Sequence, residues 1–183
     1  GDNNDSSRKR HLTASRVLPY APAPLFRTIS AVESYSSFLP FLTASTVTAR
    51  DERTGLPSEA FLTVGYGPLS ETFTSKVDCD ERAWVVEARS GGIAPHGTRT
   101  GHPPPSGFSL DKAIPGANEG IFEYMSTRWE LVPLSTSPVS TKVQLEIRFE
   151  LRSQLHAAMM GAVEGQMASL MIEAFERRIR DTY

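Results

Sequence analysis

The pattern that most limits the possible folds is a series of alternating segments followed by one long segment without proline. Residues 141–151 show the alternation most clearly, because apolar residues occupy every second position from Val143 to Leu151. A period of two predicts a strand with one buried face and one solvated face. Residues 153–180 contain no proline and many good helix formers, and they predict one long helix.

Other strand-length segments precede this one, and they are rich in valine, threonine and aromatic residues. Weak alternation over residues 11–19 predicts a first strand. Pro22 and Pro24 predict the start of a short helix over residues 25–31. A second short helix or turn over residues 32–38 ends at Pro40. The remaining predicted strands cover residues 44–50, 60–66, 71–78, 83–88, 121–131 and 141–151.

The order of these elements predicts an α+β fold in one domain. Short connections between the strands make the sheet antiparallel, and the long helix has to cover its apolar face. The 183 residues suffice for one domain with a core, and 39% hydrophobic and 22% charged residues are ordinary values for a globular protein. We expect residues 1–10 to be a flexible tail and residues 11–183 to be the domain.

Residues 90–120 interrupt the alternation with many prolines and glycines. A loop of this length inside a domain is either disordered or functional. We expect disorder, with a lid or a partner-binding role as the alternative. His96 and His102 lie in this segment without a nearby cysteine or further histidine, so we expect no metal site.

Charge and targeting signals exclude several classes of protein. The net charge of −2 gives no support to a nucleic-acid binder, and the basic residues Arg8 to His11 are interpreted as part of a solvated tail. The single cysteine, Cys79, is expected to be a small buried or half-buried residue. No segment approaches the roughly 18 apolar residues of a membrane span. The polar start does not resemble a secretory signal, and we expect any targeting peptide to be missing from this sequence.

The predicted C-terminal helix has a wide apolar surface that carries four of the five methionines. Gly161 and Gly165 each cost about 1 kcal/mol relative to alanine inside a helix. In one interpretation the helix is ordinary core and the glycines let a strand approach. In a second they form a helix-pairing face, which Glu164 and Gln166 weaken. In a third they leave room for a pocket in which methionines adapt to an apolar guest.

Catalytic motifs for hydrolases, metalloproteases and nucleotide binding are missing from the sequence. His156 has no partner that the sequence identifies and is expected to be structural. The spacing of Glu33, Asp78, Glu87 and Glu123 fixes no acid–base pair. We therefore expect a protein that is not an enzyme and has no catalytic cofactor.

Five segments of the chain carry a family resemblance. They are residues 32–41, residues 62–66 with 71–77, Thr127-Arg128-Trp129-Glu130-Leu131, residues 149–156, and Ala174-Phe175-Glu176-Arg177-Arg178. Together they resemble the coenzyme Q-binding protein family of the START-like, or polyketide cyclase, superfamily. Their order and spacing agree with the family over residues 11–180, apart from residues 90–120. Two features depart from the family pattern: the long insertion, and Leu42 at a position that is often cysteine.

The resemblance implies a helix-grip fold, in which an antiparallel sheet of about six or seven strands curls around the long helix and encloses an apolar tunnel. It also implies that the tunnel binds ubiquinone or a related polyprenyl lipid. Such a protein would be a quinone chaperone or carrier that supports respiratory electron transport and ubiquinone synthesis. In a eukaryote it would lie peripherally on the matrix side of the mitochondrial inner membrane, with quinone-synthesis or respiratory proteins as possible partners.

Two other functions stay open. Some proteins of this fold are cyclases or aromatases, and bacterial relatives include a ribosome-associated protein. An enzyme would need a buried ionisable group facing the cavity. An interaction module would show an exposed patch and a cavity too small for a lipid tail.

Strand parity and the apolar helix positions select the candidate site residues. Residues 38–41 are expected to form an entrance that touches the bilayer; the alternative is a turn that closes one end of the sheet. The predicted entrance residues are Phe38, Leu39, Pro40 and Phe41. The predicted ligand-binding residues are Phe41, Val64, Tyr66, Phe73, Met125, Thr127, Trp129, Val143, Leu145, Ile147, Phe149, Met160, Val163, Met167 and Met171.

Overall fold

A computed structural model describes residues 8–91, 120–161 and 163–183 of the chain. These residues form seven strands, four α-helices and one 3₁₀ turn. In chain order the elements are β1 (Lys9–Leu18), α1 (Pro22–Ser30), the 3₁₀ turn Val32–Ser34, α2 (Tyr35–Phe38), β2 (Leu42–Arg50), β3 (Pro57–Tyr66), β4 (Leu69–Asp80), β5 (Val85–Gly91), β6 (Phe122–Thr136), β7 (Val139–Leu151), α3 (Gln154–Met160) and α4 (Glu164–Thr182).

The seven strands form one antiparallel sheet in the order β1-β7-β6-β5-β4-β3-β2. On β7 every second residue from Val143 to Leu151 is buried, which confirms the parity predicted for this strand. On β6 a register shift between Phe122 and Tyr124 lets Phe122 and Met125 both face the core, although they differ in parity.

Helix α4 packs against the β1 side of the sheet. Arg16 of β1 and Glu176 of α4 lie 2.5 Å apart, and Arg10 and Glu164 lie 2.7 Å apart. The rings of Trp129 on β6 and Phe175 on α4 are 5.2 Å apart, measured between centroids, inside the core. Two ion pairs at the edge and an aromatic contact in the middle therefore hold the helix against the inner face of the sheet.

The single long helix that we predicted over residues 153–180 is wrong in one respect, because the chain turns between α3 and α4. Helix α3 begins after Ser153, whose hydroxyl accepts a hydrogen bond from the His156 amide at 3.1 Å. At its end Gly161 donates to the Ala158 carbonyl and Val163 to the Met160 carbonyl, so bonds spanning three residues replace the α-helical pattern.

The two glycines of this region do not face the sheet. A Cβ atom added to Gly165 would meet nothing within 4 Å, and one added to Gly161 would meet only carbonyl oxygens of α3. The interpretations in which these glycines admit a strand or leave room beside the sheet are therefore wrong. Their physical role is to weaken the helix where it breaks.

Other differences concern the ends of elements. Strand β1 starts at Lys9, inside the predicted tail, and Arg10 and His11 pair with acidic side chains instead of being free in solvent. Strand β5 continues to Gly91, and β6 begins at Phe122. Most of the predicted insertion, residues 92–119, lies outside the described residues, as do His96 and His102.

Candidate functional site

An apolar cavity of about 30 Å³ lies between the inner face of the sheet, α2 and α4. Strands β3 to β6 supply most of its wall, and α4 contributes one methionine. Its volume is close to that of one water molecule. The lining residues are Tyr35, Leu42, Leu62, Val64, Phe73, Ser75, Ala88, Ser90, Met125, Thr127, Trp129 and Met171.

The polar groups of this lining are all neutral. They are the hydroxyls of Tyr35, Ser75, Ser90 and Thr127 and the indole N–H of Trp129, and no lining residue is a carboxylate, an imidazole or a basic group. Burial raises the pKa of Tyr35 far above its ordinary value, and its hydroxyl donates to the Ile29 carbonyl. The cavity can therefore offer hydrogen bonds to a guest but holds no obvious acid–base pair.

The structure places six of the predicted ligand-binding residues around the cavity. Strands β3 and β4 contribute one residue each, β6 contributes three, and α4 contributes one. These six are Val64, Phe73, Met125, Thr127, Trp129 and Met171.

The other predicted ligand-binding residues lie outside the lining. Six of them are buried in the core: Val143, Leu145, Ile147, Phe149, Met160 and Met167. Phe41, Tyr66 and Val163 are half-buried against that core.

Six lining residues were not predicted: Tyr35, Leu42, Leu62, Ser75, Ala88 and Ser90. Leu62 could have been found, because it has the same strand parity as Val64. Ser75, Ala88 and Ser90 are small or polar and carry no apolar signal. Tyr35 lies in a helix of four residues, which is too short to show a period.

The predicted entrance, Phe38 to Phe41, is mostly covered. Leu39 is only 4% exposed, and the Arg178 guanidinium lies 4.9 Å from the centre of the Phe38 ring. Phe41 has a backbone φ of 72°, which is unusual for a bulky residue, and its carbonyl accepts a hydrogen bond from the Gly65 amide at 2.8 Å. The entrance role of this segment stays a prediction.

Two further surface features lie away from the cavity. A polar hollow of about 570 Å³ on the outer face of the sheet is lined by residues of β1, β6 and β7, including Arg128, Glu130 and Glu146. On α3, Leu155 is 68% exposed and Met159 is 40% exposed. The polar hollow is much larger than the cavity, but its charged lining suits an apolar guest poorly.

Two other kinds of site are missing from residues 8–91, 120–161 and 163–183. Among these residues, no group of three or more His, Cys, Asp or Glu side chains could hold a metal ion. Within the same ranges, every helix is too short or too polar to cross a membrane.

Residues 18–176 match the family model described as "Polyketide cyclase / dehydrase and lipid transport". The chain belongs to this family. It is similar to the mitochondrial coenzyme Q-binding protein of Schizosaccharomyces pombe, with 52% identity over 41% of this chain and 46% of that protein. It is also 29% identical to the mitochondrial coenzyme Q-binding protein of Eremothecium gossypii, over 96% of this chain and 74% of that protein. These matches confirm the predicted relationship to coenzyme Q-binding proteins.

Other similar proteins have different names and functions. The ribosome association toxin of Rickettsia prowazekii is 25% identical over 91% of this chain and 94% of its own length. A START superfamily protein of Mycobacterium smegmatis superposes with a TM-score of 0.67 at 17% identity, over 94% of this chain and 99% of that one. An aromatase/cyclase of Streptomyces sp. R1128 superposes with a TM-score of 0.61 at 18% identity, over 95% of this chain and 98% of that one. These superpositions confirm the predicted START-like, helix-grip fold.

Proposed function

We propose that the protein binds ubiquinone or a related polyprenyl lipid in the cavity between the sheet and α4. The observation that carries this proposal is an apolar cavity, with neutral hydroxyls as its polar groups, in a chain similar to mitochondrial coenzyme Q-binding proteins. Burial of an isoprenoid tail is favourable by about 25 cal/mol per Å² of apolar surface. Binding therefore needs an apolar lining more than it needs specific contacts.

The cavity has to widen before it can hold such a ligand, because ligand pockets usually measure about 300–1,000 Å³. Two features of the structure support such a change. Met125 and Met171 are unbranched side chains that repack easily, and they lie on opposite walls of the cavity. The break between α3 and α4 is a second place where the covering layer can move.

In the cell, we propose, the protein is a quinone chaperone or carrier that supports respiratory electron transport and ubiquinone synthesis. We place it peripherally on the matrix side of the mitochondrial inner membrane, as an extension from relatives that are named mitochondrial. Proteins of quinone synthesis or of the respiratory chain are its expected partners. We propose a binding role and no catalytic one, because the mitochondrial relatives are named as binding proteins.

Organic extraction of the purified protein, followed by mass spectrometry of the extracted lipid, tests the proposal. We expect near-stoichiometric ubiquinone, either as purified or after incubation with ubiquinone in detergent. An empty extract under both conditions would refute quinone binding.

A ribosome-associated interaction module is the second candidate. Two observations favour it: the small volume of the cavity, and similarity along most of the chain to a ribosome association toxin. Co-sedimentation with mitochondrial ribosomal subunits distinguishes the two candidates. Binding to subunits together with an empty lipid extract would support the interaction module.

A further inference from the structure

Three hydroxyl side chains lie close together on the wall of the cavity that the sheet forms. They belong to Ser75 on β4, Ser90 on β5 and Thr127 on β6. Ser75 is only 2% exposed, and its neighbours on the same strand face, Phe73 and Val77, are buried apolar residues. Apolar side chains would fill these inner positions equally well, so packing alone does not require hydroxyls there.

The strand register places these hydroxyls on adjacent positions. The β4–β5 pairing ends at Lys76 and Arg89, and its register continued by one step sets Ser75 opposite Ser90. Ser90 pairs with Met125, which makes Thr127 its diagonal neighbour across β5 and β6. Cβ atoms of opposite residues are about 5 Å apart, and those of diagonal neighbours about 7 Å apart. One small ring can therefore contact Ser90 together with one of the other two hydroxyls, whereas Ser75 and Thr127 lie two strand spacings, at least about 10 Å, apart.

The hydrogen bonds of these hydroxyls are incomplete. Ser90 donates to the Met125 carbonyl at a long 3.3 Å. Among the described residues, we find no hydrogen-bond partner for the Ser75 or the Thr127 hydroxyl. Neither oxygen is among the fully buried side-chain atoms of the described residues that lack a partner, so both keep some accessible surface. Such donors are well placed for an acceptor that enters with a ligand.

We infer that Ser75, Ser90 and Thr127 form a head-group subsite, which selects lipids that carry acceptor oxygens on a small ring. The inference rests on the proposed lipid binding and adds what the cavity recognises. The carbonyl and methoxy oxygens of a quinone accept hydrogen bonds, whereas an isoprenoid tail offers none. The tail supplies apolar burial, and the hydroxyls supply the preference for a quinone.

Competition between two lipids tests the subsite. The full chain is incubated in detergent with equimolar ubiquinone and squalene, an isoprenoid hydrocarbon without a head group. The retained lipids are then extracted and quantified by mass spectrometry. We expect wild type to retain ubiquinone preferentially. The double variant Ser75→Ala/Thr127→Val should reduce this preference about tenfold, as one lost hydrogen bond would.

Thr63→Val is the matched control. Thr63 lies on the outer face of β3 and shares a hydrogen bond with Thr72, so this variant removes a hydroxyl from the other side of the sheet. It should keep the wild-type preference. The single variants Ser75→Ala and Thr127→Val cover the case in which the double variant fails to give a normal circular dichroism spectrum.

The outcomes separate the two proposals. In one outcome, wild type retains ubiquinone while the folded Ser75 and Thr127 variants keep the same preference for it. That result would refute the subsite and leave the proposed lipid binding in place. If wild type retains neither lipid, both proposals fail.

Discussion

Cys79, the single cysteine, lies on β4 beyond the cavity-lining residues and is half-buried, in agreement with its sequence prediction. Its sulfur lies 3.7 Å from the Pro57 carbonyl oxygen, to which the thiol can donate. Burial, with the nearby carboxylate of Asp78 as a second cause, raises the pKa of the Cys79 thiol to about 11. The thiol is therefore protonated at physiological pH and is a poor nucleophile.

We expect Cys79 to react slowly with iodoacetamide. At pH 7.5 a pKa of about 11 in place of the ordinary 9.0 leaves about a hundredfold less thiolate, and the rate should rise steadily with pH up to about 11. Mass spectrometry of the alkylated protein over a series of pH values measures this rate. The urea-unfolded chain is the control, and a native rate equal to its rate would contradict the burial described here.

The cavity residues differ in how much of their position the sequence can predict. Met125, Thr127 and Trp129 are predicted from the sequence, because residues 121–131 are predicted as a strand and alternate positions on a strand share a face. Ser75 and Ser90 are not, because a serine on an inner face looks like any solvated serine in the sequence. Strand parity also leaves open which inner-face residues surround the cavity, and the inner side chains of β7 are buried but lie outside its lining.

At the scale of elements, the strands follow from alternation, whereas the break between α3 and α4 does not. Gly161 and Gly165 weaken the helix, but helical propensity alone predicts only a cost and not a turn. The burial of Met160 and Met167 on either side of the break is a tertiary effect. Burial of both methionines favours two shorter helices, each packed on the sheet, and disfavours one straight helix.

We expect Gly165→Ala to raise the free energy of unfolding by about 0.5–1 kcal/mol, because alanine favours the helix and its Cβ meets nothing within 4 Å. If the break opens to admit a ligand, the same variant should slow quinone uptake. Urea unfolding measures the first effect, and stopped-flow quenching of Trp129 fluorescence in a Trp84→Phe background measures the second.

Gly67→Ala is the matched control for this prediction. A Cβ at Gly67 also meets nothing within 4 Å, but the backbone φ is +58°. Alanine should therefore destabilise the protein there. Equal effects of the two variants on stability would contradict the role assigned to the helix break.

The entrance prediction concerns the segment between α2 and β2. Phe41→Asp is expected to weaken binding to liposomes, because a charge is costly in the bilayer interface, and to leave quinone binding in detergent unchanged. Liposome co-sedimentation measures the effect. Leu155→Asp on α3 is the matched variant at an exposed apolar residue. If only Leu155→Asp weakens liposome binding, the membrane contact lies on α3 and not at Phe41.

For the molecule as a whole, lipid binding requires a cavity of about 30 Å³ to expand at the expense of core packing. A substitution that fills the cavity should compete with the ligand. Ala88 lines the cavity and is 7% exposed, whereas Ala157 on α3 is 8% exposed and lies outside the lining. Replacing either alanine with leucine adds the same side chain, inside the cavity lining in one variant and outside it in the other.

We expect Ala88→Leu to lower the amount of co-purified quinone at least about tenfold and to cost about 1–3 kcal/mol of stability through overpacking. Ala157→Leu should have a comparable cost in stability and keep its quinone. Lipid extraction and urea unfolding measure both quantities. Equal quinone content in the two variants would place the ligand elsewhere in the molecule.

The pairing of the first strand with the last sets the order in which the protein can be assembled. Residues 9–18 of β1 find their partners only in residues 141–150 of β7. During synthesis β1 must therefore wait until more than two thirds of the chain has emerged, and closing so long a loop makes a late, slow step in folding. Until then Arg10 and Arg16 of β1 also lack Glu164 and Glu176, the partners that α4 brings from the end of the chain.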